Sequence, residues 1–173
     1  MDWRLLEKCY ERLDSPTFEA AMATSLLTLH ESESEATEDL RRLGDSWKLS
    51  TAHLRAIQTA VTTAEEIVHC ETMPWSRLQP LLIDRDILTT LSVASAITDP
   101  ASQEGVQRAQ QELRRTDRPL DPPALVTGND LIQRGMTPGP HFRTWLSHLR
   151  GAQLDGEITT FEGAIDWIEQ QRP

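Results

Sequence analysis

Hydrophobic residues recur at steps of three and four along most of the chain, which is the spacing of one face of an α-helix. Within residues 2–13 that face consists of Trp3, Leu6, Cys9, Tyr10 and Leu13. No segment alternates apolar and polar residues with the period of two that a strand requires. The pattern predicts an all-α protein, a multi-helix bundle.

Short polar residues, prolines and glycines indicate where helices begin and end. Ser15 is predicted to cap a second helix with Pro16 at its first position, and Gly44 to end the next one. Leu49-Ser50-Thr51 is predicted to start a long amphipathic helix. Residues 78–94 are the most apolar part of the chain and predict either one buried helix or a pair.

A change in composition divides the chain after a polar helix predicted over residues 100–115. Residues 116–128 contain three prolines and cannot be helical throughout. We expect an ordered connector there, because Leu120, Leu125 and Val126 are apolar, with a flexible linker as the alternative. The predicted organisation is a helical body over 1–115, this connector, and a small helical tail over 129–173.

The tail opens with a sharp helix–turn–helix, "NDLIQRGMTPGPHFRTWL". Gly135 is predicted to end its first helix, and Met136 to make the apolar contact that accompanies such an end. Thr137 is predicted to cap the second helix with Pro138 at its first position. The inner face of that helix is predicted to be Phe142, Trp145, Leu146 and Leu149. A turn at Gly156 and the capping-box spacing from Thr159 to Glu162 predict one more helix.

The charge argues against a general polyanion-binding surface, because the net formal charge is −10. It permits a local basic patch. Of the 17 basic residues only Lys8 and Lys48 are lysine, so nearly all are arginines, whose forked donors suit phosphate or carboxylate. Ion pairing on helix surfaces, or a genome rich in G and C, explains the same bias.

Targeting and redox signals are absent from the sequence. There is no basic–apolar leader, and no apolar run approaches the roughly 18 residues of a membrane span. Cys9 and Cys70 form no metal or disulfide pattern. We therefore expect a cytoplasmic protein that has no contact with a membrane.

A search for catalytic chemistry finds no active site. His30-Glu31 lacks the aspartate and the further histidines of a metal-dependent phosphohydrolase, and Asp84 and Asp86 lie in a helical segment, where side chains two apart diverge. No phosphate loop, nucleophile elbow or HExxH spacing occurs. We predict no catalytic residue, no metal ligand and no cofactor in this chain.

The remaining candidate is a phosphate site at the turn of the tail. A helix start there exposes backbone N–H groups and a positive dipole end, and Gly139 has no side chain to block an anion. Arg143 and Arg150 are seven residues apart, as are His141 and His148, so each pair shares a stripe of the helix. The predicted phosphate-binding residues are Arg134, Gly139, His141, Arg143 and Arg150. A tight corner with a solvated charged face is the alternative.

These motifs resemble the C-terminal region of bacterial tRNA nucleotidyltransferases and poly(A) polymerases. Family members typically read Gly-Asp-Asp-Leu-Ile, then Gly-Leu-x-Pro-Gly-Pro, then Ala-Gln-Leu-x-Gly-Glu-Ile. This chain has the three elements in the same order at residues 128–132, 135–140 and 152–158, with Asn129 and Met136 as the departures. "FEAAMATSLLTLHE" and "RRLGDSWKLSTAHLRAI" are similar more loosely.

The resemblance implies the helical body and tail of such an enzyme, without its catalytic head. The head and neck carry the Mg²⁺, the nucleoside triphosphate and the nucleotide choice in that family, so no catalytic residue is carried over, and CCA addition cannot be told from poly(A) addition. It implies a chain that binds RNA, either tRNA or RNA 3′ ends, for a head in the same or a partner polypeptide. A protein-interaction or structural module without RNA binding is the alternative function.

Overall fold

The computed structural model describes residues 3–14 and 16–171. Within these residues it contains ten helices and no strand, which confirms the predicted all-α bundle. The helices are α1 (Trp3–Glu11), α2 (Phe18–Leu29), α3 (Glu33–Trp47), α4 (Thr51–Val68), α5 (Trp75–Leu82), α6 (Ile87–Ile97), α7 (Glu104–Arg114), α8 (Gly128–Gln133), α9 (Pro140–Leu154) and α10 (Phe161–Gln170).

The chain forms two compact units. Unit 1 comprises residues 1–73 and 81–115, and unit 2 comprises residues 74–80 and 116–173. Unit 2 thus groups the proline-rich segment with the tail helices and adds the start of α5, a contribution that the sequence pattern did not indicate.

Unit 1 is built around α4 and α6, which pack on each other and on α2. Fully buried alanines lie where these helices meet, among them Ala23, Ala60 and Ala94. Small side chains let helix axes approach closely, which compensates for the few aromatic residues of the chain. The apolar segment 78–94 is a pair of helices, α5 and α6.

Two boundaries in unit 1 differ from those predicted. Thr17 caps α2, its side chain accepting from the amide of Ala20, and the helix begins at Phe18; Ser15, the predicted cap, lies outside the described residues. Helix α3 continues past Gly44 to Trp47 and ends at Lys48 in the left-handed region. Leu54 packs directly against the backbone of Gly44, so a residue without a Cβ fits this position inside α3.

The inner face of α1 is narrower than its spacing predicts. Leu6 and Cys9 are buried, as is Leu13 just after the helix, whereas Trp3 is 64% and Tyr10 40% exposed. The Tyr10 hydroxyl lies 2.6 Å from the hydroxyl oxygen of Ser25 on α2. Tyr10 therefore contacts α2 through its hydroxyl group, while its ring stays partly exposed.

Unit 2 has its own core, formed by α8, α9 and α10. Leu131, Ala164 and Ile168 are fully buried, and Phe142 and Leu149 of α9 join them, with Trp145 and Leu146 half-buried at the edge. The predicted inner face of α9 is thus confirmed. Helix α10 is capped by Thr160, not by Thr159, because the Thr160 hydroxyl accepts from Gly163.

Candidate nucleic-acid interface

The end of α8 folds as the sequence predicts. Gly135 has φ +79°, its amide donates to Ile132 at 2.9 Å, and the amide of Met136 donates to Leu131 at 3.1 Å. These two bonds satisfy the last carbonyls of the helix, and Met136 is buried in the core of unit 2. The glycine is needed for its positive φ, and the methionine anchors the chain after it.

The start of α8 is fixed by a reciprocal cap. The hydroxyl and amide of Thr127 donate to the Asp130 carboxylate at 2.6 and 2.7 Å, and the Asp130 amide donates back to the hydroxyl. These hydrogen bonds hold the pKa of Asp130 below its ordinary value, with a smaller contribution from the nearby Arg134. Both ends of this short helix are therefore specified locally.

Helix α9 begins two residues later than predicted. Its N-cap is Gly139 and its first residue is Pro140, in place of Thr137 and Pro138. A residue that precedes proline is disfavoured in helical conformation, so Gly139, which is extended at φ −167°, cannot lie inside the helix. The second proline of Pro-Gly-Pro, not the first, sets the helix start.

This start has fewer free backbone donors than the sequence predicts. Pro140 has no N–H, and the amide of Phe142 donates to the carbonyl of Gly139 at 3.0 Å. A Cβ placed on Gly139 would meet the His141 ring at 2.6 Å, so that ring covers the open side of the glycine. Anion contacts at this corner depend mainly on side chains.

Two of the predicted residues are exposed on the first turns of α9. The His141 ring lies 4.5 Å from Trp145 and 5.2 Å from Phe142, measured between centroids. Arg143 is exposed and has no hydrogen-bond or ion-pair partner among residues 3–14 and 16–171. Its guanidinium is available to an incoming anion.

Arg134 lies at the C-cap of α8 and is also exposed. Its guanidinium carbon is 5.3 Å from the centroid of Phe161, the first residue of α10. An arginine held over an aromatic face keeps its donors directed outward, because the ring occupies only one face of its plane. Arg134 is thereby positioned next to the α8–α9 corner.

Arg150 is placed differently from the other predicted residues. Its Nη1 donates to the Pro122 carbonyl at 2.8 Å and to Gln153 at 3.3 Å, and its Nη2 donates to Asp121 at 2.6 Å. Its side chain is only 26% exposed. Of the two arginines on the predicted stripe, Arg143 is open, whereas Arg150 holds the connector.

The histidine stripe lies toward another element. His148 packs edge-on against Trp167 of α10, with 6.2 Å between ring centroids, whereas Arg150 contacts residues 121–122. The two stripes therefore occupy opposite flanks of α9.

Two glutamines that the prediction did not include fix the connector in unit 2. The Gln153 amide donates to the Pro123 carbonyl at 2.8 Å and accepts from the amide of Leu125 at 3.2 Å. The Gln79 amide donates to the Leu120 carbonyl at 3.2 Å and to Asp121 at 3.0 Å. Gln153 belongs to the Ala-Gln-Leu motif, which was the available signal; Gln79 lies in an apolar run that gave none.

The residues considered for metal chemistry have structural partners. Asp86 binds Arg55 at 2.8 Å, and Asp84 accepts from the amide of Asp86 at 2.8 Å. His30 lies 3.1 Å from Asp39. Over the described ranges, no three His, Cys, Asp or Glu side chains are grouped so that they could hold a metal ion.

Charge is distributed unequally between the units. The residues of unit 1 include 11 basic and 19 acidic side chains, whereas those of unit 2 include 6 and 8. Most of the net charge of −10 therefore belongs to unit 1.

Of the helices described, none combines the length and apolar character that crossing a bilayer demands.

Comparison with known proteins gives no relative. The chain matches no protein-family model, no curated protein and no solved structure.

Proposed function

We propose that this chain holds RNA through its backbone phosphates at the α8–α9 corner of unit 2. The observation that carries the proposal is Arg143, an exposed arginine without a partner among the described residues. A guanidinium that is not spent on the protein's own carboxylates is free to bind a phosphate with two parallel hydrogen bonds.

Other exposed residues of α8 and α9 support the same role. His141 and Arg134 are exposed on the helices that form the corner, and unit 2 has an excess of only two acidic side chains. Contacts of this kind position a nucleic acid without reading its sequence.

Arg150 has a supporting role in this proposal. Because its terminal nitrogens already donate to Pro122, Asp121 and Gln153, it stabilises the connector beside α9. Replacing Arg150 would therefore change the structure of unit 2, and would affect phosphate binding only through that structure.

The resemblance to tRNA nucleotidyltransferases and poly(A) polymerases supports the choice of RNA and the wider role. In this proposal the chain positions tRNA or an RNA 3′ end for nucleotide addition by a head domain that is not part of these 173 residues. The Mg²⁺ and nucleoside triphosphate of that reaction would bind the head, and the chain would contribute no catalytic residue.

Binding of unmodified tRNA to the full chain, measured by fluorescence anisotropy across a salt series, tests the proposal. We expect weak binding that falls steeply with salt, because phosphate contacts release counterions and unit 1 repels the polyanion. An absence of binding at low salt would contradict the proposal.

A second candidate, a protein-interaction module, is favoured by a groove in unit 1. Leu88, Leu91 and Leu113 line this groove of about 350 Å³, and Leu88 is 75% exposed. Exposed leucines beside a groove are typical of protein contacts. A protein partner that binds the chain without RNA, and is lost in Leu88→Asp, would favour this function.

A further inference from the structure

Unit 2 contains a cavity next to the connector that the predicted phosphate site does not include. It has a volume of about 270 Å³ and is lined by Trp75, Arg118, Pro119, Pro122, Leu154 and Ile158, among others. We name it the Trp75 pocket. Its residues come from α5, the connector, the end of α9 and the segment before α10.

The lining combines a flat aromatic surface with a planar cation. The guanidinium carbon of Arg118 lies 4.1 Å from the centroid of the Trp75 ring. Aromatic rings and guanidinium planes are protein surfaces on which unpaired nucleobases stack. Because the guanidinium here lies on the indole, a base stacks on an outer face of the pair. The prolines and aliphatic side chains complete an apolar surround that suits the faces of a heterocycle.

The polar groups of the pocket are few. The Thr159 hydroxyl has no hydrogen-bond partner among the residues that the structure describes, and it can both donate and accept. Arg118 places a positive charge on the lining, which suits the phosphate attached to a base. A cavity of about 270 Å³ lies below the range of about 300–1,000 Å³ typical of drug-sized ligands, and so suits one ring system.

The walls of the pocket are held in place by hydrogen bonds from α9. Arg150 binds the Pro122 carbonyl, and Gln153 binds the Pro123 carbonyl and the Leu125 amide. The amide of Ser76, next to Trp75, donates to Asp155 at 2.8 Å. A wall fixed before binding loses little conformational entropy when a ligand enters.

We infer that the Trp75 pocket holds a single unpaired nucleobase, stacked on an outer face of the pair that Trp75 and Arg118 form. This inference deepens the proposed function, on which it rests for the choice of ligand class. The corner then contributes sequence-independent phosphate contacts, and the pocket adds a position where an unpaired nucleotide is required.

The test uses the full chain and three probes: adenosine 5′-monophosphate, ribose 5-phosphate and inorganic phosphate. The indole N–H signal of Trp75, one of five tryptophans, is assigned by its loss in Trp75→Leu. We expect adenosine monophosphate to shift this signal, and the two probes without a base to leave it unchanged. Trp75→Leu should weaken binding of the nucleotide at least about fivefold, since stacking contributes about 1–3 kcal/mol per base.

Thr159→Val keeps the side-chain shape while removing the hydroxyl. It is the second test variant, used if Trp75→Leu fails to fold. We expect Thr159→Val to weaken nucleotide binding and to leave the urea midpoint unchanged. Trp3→Leu in unit 1 is the control and should change neither the nucleotide affinity nor the midpoint.

The outcomes separate this inference from the proposed function. If tRNA binds in an Arg143-dependent way but the nucleotide leaves Trp75 unshifted, the pocket inference is overturned and the proposed function stands. If the nucleotide shifts Trp75 but tRNA does not bind, the pocket is supported and the proposed function fails. A proline-rich peptide that shifts Trp75 where the nucleotide does not would overturn the inference in favour of a peptide groove.

Discussion

The Nη2 atom of Arg150 lies 2.6 Å from a carboxylate oxygen of Asp121, twenty-nine residues earlier in the chain. The same guanidinium donates to the Pro122 carbonyl at 2.8 Å. Arg150 of α9 thereby binds both a carboxylate and a backbone carbonyl of the connector. This places Arg150 among the residues that build unit 2, although its sequence position predicts a phosphate ligand.

Arg150→Ala should therefore lower the free energy of unfolding of unit 2 by about 1–2 kcal/mol. The loss comes mainly from the half-buried Pro122 carbonyl, which loses its donor; the ion pair adds little because Asp121 is 61% exposed. Urea denaturation measures this loss. Arg143→Ala is the matched control, two turns earlier on the same stripe of α9, and should leave the urea midpoint unchanged. Equal losses of stability in the two variants would contradict the structural role of Arg150.

Arg143→Ala should weaken tRNA binding equally for different RNA sequences. Each phosphate contact contributes about one unit to the slope of log affinity against log salt, so the slope should fall by about one. Fluorescence anisotropy across a salt series provides the measurement. Arg85→Ala removes an exposed arginine of unit 1 and is the control for net charge; if it reduced the slope as much, the corner would not be the binding surface.

Gly135 and Gly139 should respond to alanine for opposite reasons. Gly135 has φ +79° and no atom within 4 Å of the position a Cβ would take, so Gly135→Ala should cost about 1–2 kcal/mol through backbone strain alone. Gly139 is extended, so Gly139→Ala should leave stability nearly unchanged and instead move the His141 ring.

Thermal unfolding and the NMR signals of the His141 ring distinguish the two effects. A loss of stability in Gly139→Ala equal to that of Gly135→Ala would show that the start of α9 is more constrained than its geometry indicates.

Gly105→Ala should be among the most destabilising single changes in unit 1, by about 3 kcal/mol. A methyl group there would overlap the backbone carbonyls of Ile67 and Val68, which cannot move without distorting α4. Gly44→Ala is the comparison, because its methyl group would meet only the flexible Leu54 side chain. Chemical denaturation should show a much smaller effect for Gly44→Ala, and the reverse order would contradict the packing.

Acid should remove the cap of α8. The pKa of Asp130 is lowered in the folded protein by the hydrogen bonds from Thr127, so its contribution is complete above the ordinary value of 3.8 and is lost as the pH falls through the lower folded value. Unfolding measured from about pH 5 down to about pH 2 should show a smaller acid-dependent loss of stability in Asp130→Asn than in the native chain. An identical pH dependence would mean that this carboxylate gains nothing on folding.

Much of this architecture is determined by the sequence itself, because local signals act over a few residues. Ser50 caps α4, Gly135 ends α8 with Met136 as its apolar contact, and the inner face of α9 follows its helical spacing. The Ser50 cap and the Gly135 hydrogen bonds join atoms within one or two helical turns, so the pattern contains the whole interaction. The inner face of α9 follows from helical spacing, although the residues on which it packs lie in other elements.

The tertiary structure decided what depends on atoms distant in sequence. The neighbouring elements place Arg150 against residues 121–122 and leave Arg143 open, although the two share a helix stripe. Leu54 of α4 packs on Gly44 of α3, and the start of α5, which belongs to unit 2, brings Trp75 to Arg118. Helical spacing determines which face a residue occupies, whereas the packing of other elements determines whether that face binds the protein itself or remains available to a ligand.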